Sequence, residues 1–140
     1  VGSIFRTADA AGISKIYLTG YTPTPVDRFG RERSDIAKTA LGAQKNIEWE
    51  HFKTVNPVIN KLKKEKTAIV AVEQANDAVD YKKVKINSST AFIFGNEVKG
   101  LSKSILEKSD QISQIKMLGK KESLNVSVTA GVFLFRVLNI

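Results

Sequence analysis

Two short apolar runs, residues 67–72 (Thr-Ala-Ile-Val-Ala-Val) and 90–94 (Thr-Ala-Phe-Ile-Phe), constrain this chain more than any other feature. Each has the length of a strand and neither alternates with polar residues, the pattern of strands buried on both faces of a parallel sheet between helix layers. Helical patterns alternate with them. Residues 3–11 place Ile4, Phe5, Ala8 and Ala11 at helical spacing before a stop at Gly12. Residues 36–41 read as a short helix stopped by Gly42, and residues 58–66 set Val58, Ile59 and Leu62 against a solvated Lys/Glu face. With residues 15–19 and 47–50 as further strands, the order predicts an α/β fold. No repeat, low-complexity tract or Gly/Ser linker divides the 140 residues, so a single domain over 1–140 is expected.

The last segment adds a demand of its own. Residues 123–140 contain Leu124, Val126, Val128, Val132, Phe133, Leu134, Phe135, Val137 and Leu138, which cover almost the whole circumference of a helix. A helix apolar all round must be buried all round, and so small a chain can hardly cover both faces, which predicts a homodimer interface there.

Composition removes several chemistries. The chain has no Cys and one His, His51, so thiol nucleophiles, disulfides and Cys- or His-rich metal centres are not expected. No run approaches 18 apolar residues and residues 1–6 lack the order of a secretory signal, so neither a membrane span nor export is expected and the cytoplasm is the expected location. Lys and Arg number 22 against 14 Asp and Glu, a net charge of +8, with the excess carried by residues 51–140. A surplus of that sign suits a polyanionic partner such as nucleic acid.

Three segments place glycine and polar residues where strands end and helices begin, the usual ligand position of open parallel sheets. In Phe-Gly-Asn-Glu-Val-Lys-Gly-Leu-Ser over 94–102, Gly95 follows a buried strand and would admit close backbone approach. Gly95 and Gly100 have phosphate-loop spacing, but Leu101 stands where such a loop needs Lys, and no G-x-G-x-x-G occurs, so nucleotide-triphosphate and dinucleotide readings fail. In the segment 115–131, Ser123 is a candidate N-cap and Asn125 falls in the first turn of an apolar helix. That Asn reads either as a satisfied core amide or as one facing a ligand. Arg6 forms the third candidate, with a surface ion pair to Asp9 at i+3, worth about 0.3–0.5 kcal/mol, as its plain alternative. Finally, the turn-rich residues 20–35 carry Arg28, Arg31 and Arg33, a long loop of the kind that is often functional.

Together the motifs Gly-Ser-Ile-Phe-Arg-Thr-Ala-Asp-Ala-Ala-Gly (2–12), Phe-Ile-Phe-Gly-Asn-Glu-Val-Lys-Gly-Leu-Ser (92–102) and Ser-Leu-Asn-Val-Ser-Val-Thr-Ala-Gly (123–131) resemble motifs one to three of the SpoU/TrmH family of SPOUT methyltransferases. The resemblance spans nearly the whole chain. It implies an S-adenosylmethionine-dependent RNA ribose 2′-O-methyltransferase, acting on tRNA or rRNA, with the α/β-knot fold, a C-terminal deep trefoil knot and a homodimeric assembly. It further implies cofactor contacts at Val72, Glu73 and Gln74, at Phe94 and Gly95, at Ile115 and Met117, and at Leu124. The family's motif-one arginine falls on Arg6, its motif-two glutamate on Glu97, and its motif-three Ser and Asn on Ser123 and Asn125, the implied catalytic set. RNA would be gripped by Arg6 and by the Arg28, Arg31 and Arg33 loop. No metal is implied.

The match has two departures. The family usually has an Asn just before the position of Val1, so the resemblance implies that the sequence starts inside its first motif. It also commonly has Pro before the motif-three methionine, where this chain has Lys116 before Met117. The competing reading is a knotted RNA-binding protein without catalysis, and a base methyltransferase of the wider superfamily is the third. Neither the target nucleotide nor the choice between tRNA and rRNA is written in these residues.

Overall fold

The structure is a computed structural model and describes residues 1–96 and 99–140. The chain forms two compact units, Val1–Val58 and Ile59–Ile140.

The first unit contains α1 (Gly2–Ala10), β1 (Lys15–Thr19), α2 (Ser34–Ala40), α3 (Ala43–Asn46) and β2 (Glu48–Phe52). β1 and β2 pair in parallel from Lys15 opposite Glu48 to Thr19 opposite Phe52. Phe5 and Ala8 of α1 enter a core shared with Leu18, Ala40, Ala43 and Ile47. α1 meets α2 closely: a Cβ at Gly2 would fall 2.5 Å from the Ile36 carbonyl oxygen and collide with the Thr39 side chain. That contact fixes which face of α1 is buried and leaves Arg6 exposed. The strand expected at 47–50 runs instead over Glu48–Phe52, because Ile47 turns inward as a buried core residue at the end of α3.

α4 (Asn56–Lys64) begins two residues before the expected start at Val58. Pro57 sits in its first turn, where the N–H it lacks would have no helical partner anyway.

The second unit contains β3 (Ala68–Val72), β4 (Val79–Asp80), a 3-10 turn (Tyr81–Lys83), β5 (Thr90–Phe94), α5 (Lys103–Lys108), β6 (Gln111–Gln114) and α6 (Val126–Val137). Its four-stranded sheet has the order β4-β6-β3-β5, and every pairing is parallel. β3 is central, and its residues 69–72 are buried, as expected of a strand without alternation. β5 lies at the sheet edge and is half-buried along its length, so the expectation of burial on both faces holds for β3 and not for β5. Asp110 ties the start of this arrangement, its Oδ2 accepting from the Ile69 amide at 2.7 Å.

α6 supplies the second core. Phe133 is fully buried and its ring meets Tyr81, Phe92 and Phe94 at centroid distances of 6.2, 5.5 and 6.0 Å. Ala130, Phe133, Leu134 and Val137 line the buried face, while Val128, Val132 and Phe135 stay 49%, 40% and 37% exposed in the single chain. Two expectations about this segment change. The helix starts at Val126, not at Ser123, and its N-cap is Asn125, whose Oδ1 accepts from the Ser127 amide at 2.9 Å and from Ser127 Oγ at 2.7 Å. Asn125 is also exposed rather than buried, since an amide that accepts at a helix start needs no core partners.

Candidate functional site

Because β6 inserts beside β3, the C-terminal ends of β3, β5 and β6 stand next to one another. A cavity of about 430 Å³ opens there, roofed by the segment that leads into α6. Its size lies within the range of about 300–1,000 Å³ typical of small-molecule clefts.

The structure brings the eight residues implied as cofactor contacts together around this one cavity. Val72, Glu73 and Gln74 come from the end of β3, Phe94 and Gly95 from the end of β5, Ile115 and Met117 from the chain after β6, and Leu124 from the approach to α6. Ser123 lines it as well. Lys116, the departure from the family pattern, is exposed and does not line the cavity, although its neighbours Ile115 and Met117 do.

Side chains hold the walls in register. Glu73 Oε2 accepts from the Leu101 amide at 2.6 Å and its Oε1 from the Gln74 amide at 3.1 Å. Gln74 Nε2 in turn donates to the Ile115 carbonyl at 2.6 Å, joining the ends of β3 and β6. Gly95 is required by proximity: a Cβ there would lie 2.6 Å from the Gly100 carbonyl carbon and 2.9 Å from the Leu101 nitrogen. The Gly100 amide returns to the Asn96 carbonyl at 2.8 Å, and Gly100 itself has a φ of +64°.

The lining chemistry is mixed in a definite way. Val72, Phe94, Ile115, Met117 and Leu124 give flat apolar walls, strand ends offer backbone groups, and among the described residues Glu73 and Glu122 bring two carboxylates against the one ammonium of Lys99. An aromatic ligand that carries positive charge, as S-adenosylmethionine does with its adenine and sulfonium, fits such a surface.

Other expected site residues lie elsewhere. Asn125 caps α6 and is not among the residues lining the cavity. Glu97 lies outside the described residues. Arg6 sits on α1 in the first unit, exposed, and among the described residues it makes no ion pair with Asp9. Arg28, Arg31 and Arg33 lie in the loop before α2, where Arg31 pairs with Asp27 at 3.2 Å and Arg33 with Asp35 at 3.0 Å. Both carboxylates are held below their usual range, Asp27 chiefly by the Arg31 backbone amide and Asp35 chiefly by the Arg33 side chain.

Sequence reasoning missed the Glu73 carboxylate as a structural clamp, and it missed Glu122, Leu106 and Thr129 in the cavity wall. Thr129 had a signal: it follows Val126 by three residues, the same helix face. Among the described residues no cluster of His, Cys, Asp or Glu could hold a metal ion, and no helix is long and apolar enough to cross a membrane.

Comparison with known proteins extends this picture over the whole chain. A sequence profile of the SpoU rRNA Methylase family matches residues 1–135. A Staphylococcus aureus protein assigned to the TrmH family of tRNA/rRNA methyltransferases is 31% identical over 137 residues, 98% of this chain and 52% of that protein. The chain thus spans about half the length of the curated relatives it matches. Among solved structures, the AdoMet-bound rRNA methyltransferase of Sinorhizobium meliloti aligns with a TM-score of 0.85 at 26% identity, covering 99% of this chain and 50% of that one. An RNA 2′-O ribose methyltransferase aligns at 0.84, again with 26% identity and with 99% and 50% coverage. A parallel α/β sheet that carries its cavity at the strand ends, the three motifs, and a profile match running from residue 1 to 135 lead to one assignment: this chain belongs to the SpoU methylase family.

Proposed function

We propose that the chain is the catalytic domain of an S-adenosylmethionine-dependent RNA ribose 2′-O-methyltransferase, acting on tRNA or rRNA in the cytoplasm. The observation that carries this reading is the cavity at the ends of β3, β5 and β6, whose wall gathers all eight residues that match the family's cofactor contacts. The AdoMet-bound relative and the ribose 2′-O relative support it at the level of family. The profile match, which runs across both compact units, supports reading them as one domain.

S-adenosylmethionine supplies a methyl group already activated on a sulfonium. The apolar side chains of Val72, Phe94, Ile115, Met117 and Leu124 would bind its flat ring, while Glu73 and Gln74 hold the backbone that faces it. What remains for the protein is to align a ribose 2′-hydroxyl and to stabilise the oxygen as its proton passes to solvent water. We assign Arg6 to a phosphate clamp and to stabilising the developing alkoxide, because a guanidinium stays charged and cannot serve as the base. Ser123, Asn125 and Glu97 would orient the nucleotide. Arg28, Arg31 and Arg33 would hold RNA beyond the reacting sugar.

The C-terminal segment would be threaded as the family's trefoil knot. The exposed apolar face of Val128, Val132 and Phe135 supports a homodimer in which a second copy covers α6.

Calorimetric titration with S-adenosylmethionine, followed by transfer of a labelled methyl group to bulk tRNA and rRNA with nucleoside analysis, tests the proposal. It predicts one cofactor site per chain, a 2′-O-methylated nucleoside product, binding lost in Leu124→Arg, and transfer lost with binding kept in Arg6→Ala. Cofactor binding without transfer to any RNA, or a base-methylated product, would overturn the assignment.

A further inference from the structure

The loop between β1 and α2 holds an exposed aromatic ring in a frame of arginines. Phe29 keeps 66% of its surface exposed. The Arg28 and Arg31 guanidinium carbons lie 4.9 and 5.0 Å from its ring centroid. A singly exposed ring is ordinary by itself; what sets Phe29 apart is that two guanidinium groups lie against it.

The ring is also held in place. Asp27 Oδ1 accepts from the Phe29 amide at 2.8 Å and from the Arg31 amide at 2.9 Å, while Asp27 Oδ2 accepts from Arg31 Nε at 3.2 Å. The Asp27 amide donates to the Arg31 carbonyl at 2.8 Å, Gly30 closes the turn onto the Asp27 carbonyl, and Val26 bridges Glu32 in antiparallel fashion. Sequence reasoning took residues 20–35 as a long, turn-rich loop, and its tip is a closed turn in which one carboxylate fixes three donors.

The charges divide unequally. Arg31 is committed to Asp27 and Arg33 to Asp35, whereas Arg28 makes no ion pair among the described residues. The tip therefore offers an exposed ring with the Arg28 guanidinium packed over it, a cation that has no carboxylate partner among the described residues.

We propose that Phe29 is a stacking platform for one unpaired base of the RNA, with Arg28 taking a neighbouring phosphate and Arg31 and Asp27 holding the ring in position. An aromatic face attracts a base of any sequence, an arginine plane extends the stack, and a free cation nearby selects a polyanion over an apolar peptide. The inference rests on the RNA-acting reading above and adds to it that the contact is to a single-stranded nucleotide rather than to a duplex.

The test uses the full chain, fluorescently labelled oligo(A) and a duplex of the same length, and needs no cofactor. Stacking is worth about 1–3 kcal/mol per base, so Phe29→Ala should weaken oligo(A) binding by about 5- to 150-fold while leaving the salt dependence unchanged. Phe29→Trp should bind at least as well as wild type, and its added tryptophan emission should be quenched by the RNA. Arg28→Ala should weaken binding and lower the salt slope by about 0.7, the single-strand value for one phosphate contact. Unchanged thermal melting in all three variants separates these effects from misfolding. Equal affinity of wild type and Phe29→Ala, a Phe29→Leu variant equal to Phe29→Trp, or a preference for the duplex overturns the platform alone. A wild-type chain that binds neither RNA overturns the platform and the RNA-acting reading together.

Discussion

Replacing Glu73 tests whether the cavity is held open by one long-range hydrogen bond. Its Oε2 accepts from the Leu101 amide at 2.6 Å, across 28 residues, and that amide is partly buried against the cavity. In Glu73→Ala the Leu101 N–H loses its acceptor where water has poor access, and a hydrogen bond to a charged group is worth about 1.5–3 kcal/mol. The second bond, from the exposed Gln74 amide at 3.1 Å, adds little because water replaces it. If the ordered position of Leu101 is what the cofactor binds, the whole loss appears in affinity, a drop of about 10- to 150-fold. Glu73→Gln keeps an acceptor and loses only its charge, so its affinity should fall by a few-fold. Titration calorimetry with S-adenosylmethionine and with its demethylated product reads both variants, and a thermal melt confirms that each is folded. Geometry supplies an internal control: a Cβ at Gly100 would collide with the Glu73 carboxylate, so the two residues share one contact. Glu73→Ala combined with Gly100→Ala should therefore cost less than the sum of the single variants. Cofactor affinity of Glu73→Ala within about twofold of wild type, against that drop of 10-fold or more, would refute the clamp.

Two further outcomes follow from local geometry. Asn125→Ala removes the N-cap of α6 and should lower stability by about 1 kcal/mol, read as a fall of about 3–6 °C in melting temperature. Asn125→Asp keeps the cap and the stability, so loss of methyl transfer in that variant would isolate a role toward RNA from the structural one. Asp27 has its folded pKa depressed below the ordinary value of 3.8, so its hold on the Phe29 turn is present above that value and is lost as pH falls through the lower folded value. A carboxyl-carbon NMR titration should find the Asp27 midpoint below 3.8, and the Phe29 and Arg31 amides should stay hydrogen-bonded from pH 5 to 8 and lose that bond in Asp27→Ala, which removes the acceptor.

What the sequence made legible was set by strands. Residues 67–72 and 90–94 announced themselves because a parallel strand carries its own signature, a run without alternation, and β3 and β5 fall within a residue of those bounds. The strand ends then located the cavity, since in a parallel sheet the residues after each strand are gathered on one side whatever the loops do. Short elements escaped because four residues such as Gln111–Gln114, three of them polar, carry no periodicity to read. Side-chain roles escaped for a different reason. Whether Asn125 is a core amide, a ligand contact or a cap depends on where α6 begins, and its own side chain sets that start by accepting from Ser127. Likewise nothing near Glu73 in sequence hints at Leu101, because their contact exists only once β3 and the loop after β5 lie side by side.

The same distinction bears on α6, where the sequence demanded more burial than one chain provides. Its apolar residues occupy two faces: Ala130, Phe133, Leu134 and Val137 are buried, and Val128, Val132 and Phe135 are not. Intrinsic helix preference does not explain the second face, for Val and Phe are poorer helix formers than the polar residues that would ordinarily stand at exposed positions. Nor does the cavity explain it, because Val126 and Thr129 are the α6 residues that line that wall. The homodimer proposed above would account for this face, because a second copy bringing the same surface by two-fold symmetry would cover it with no further sequence requirement.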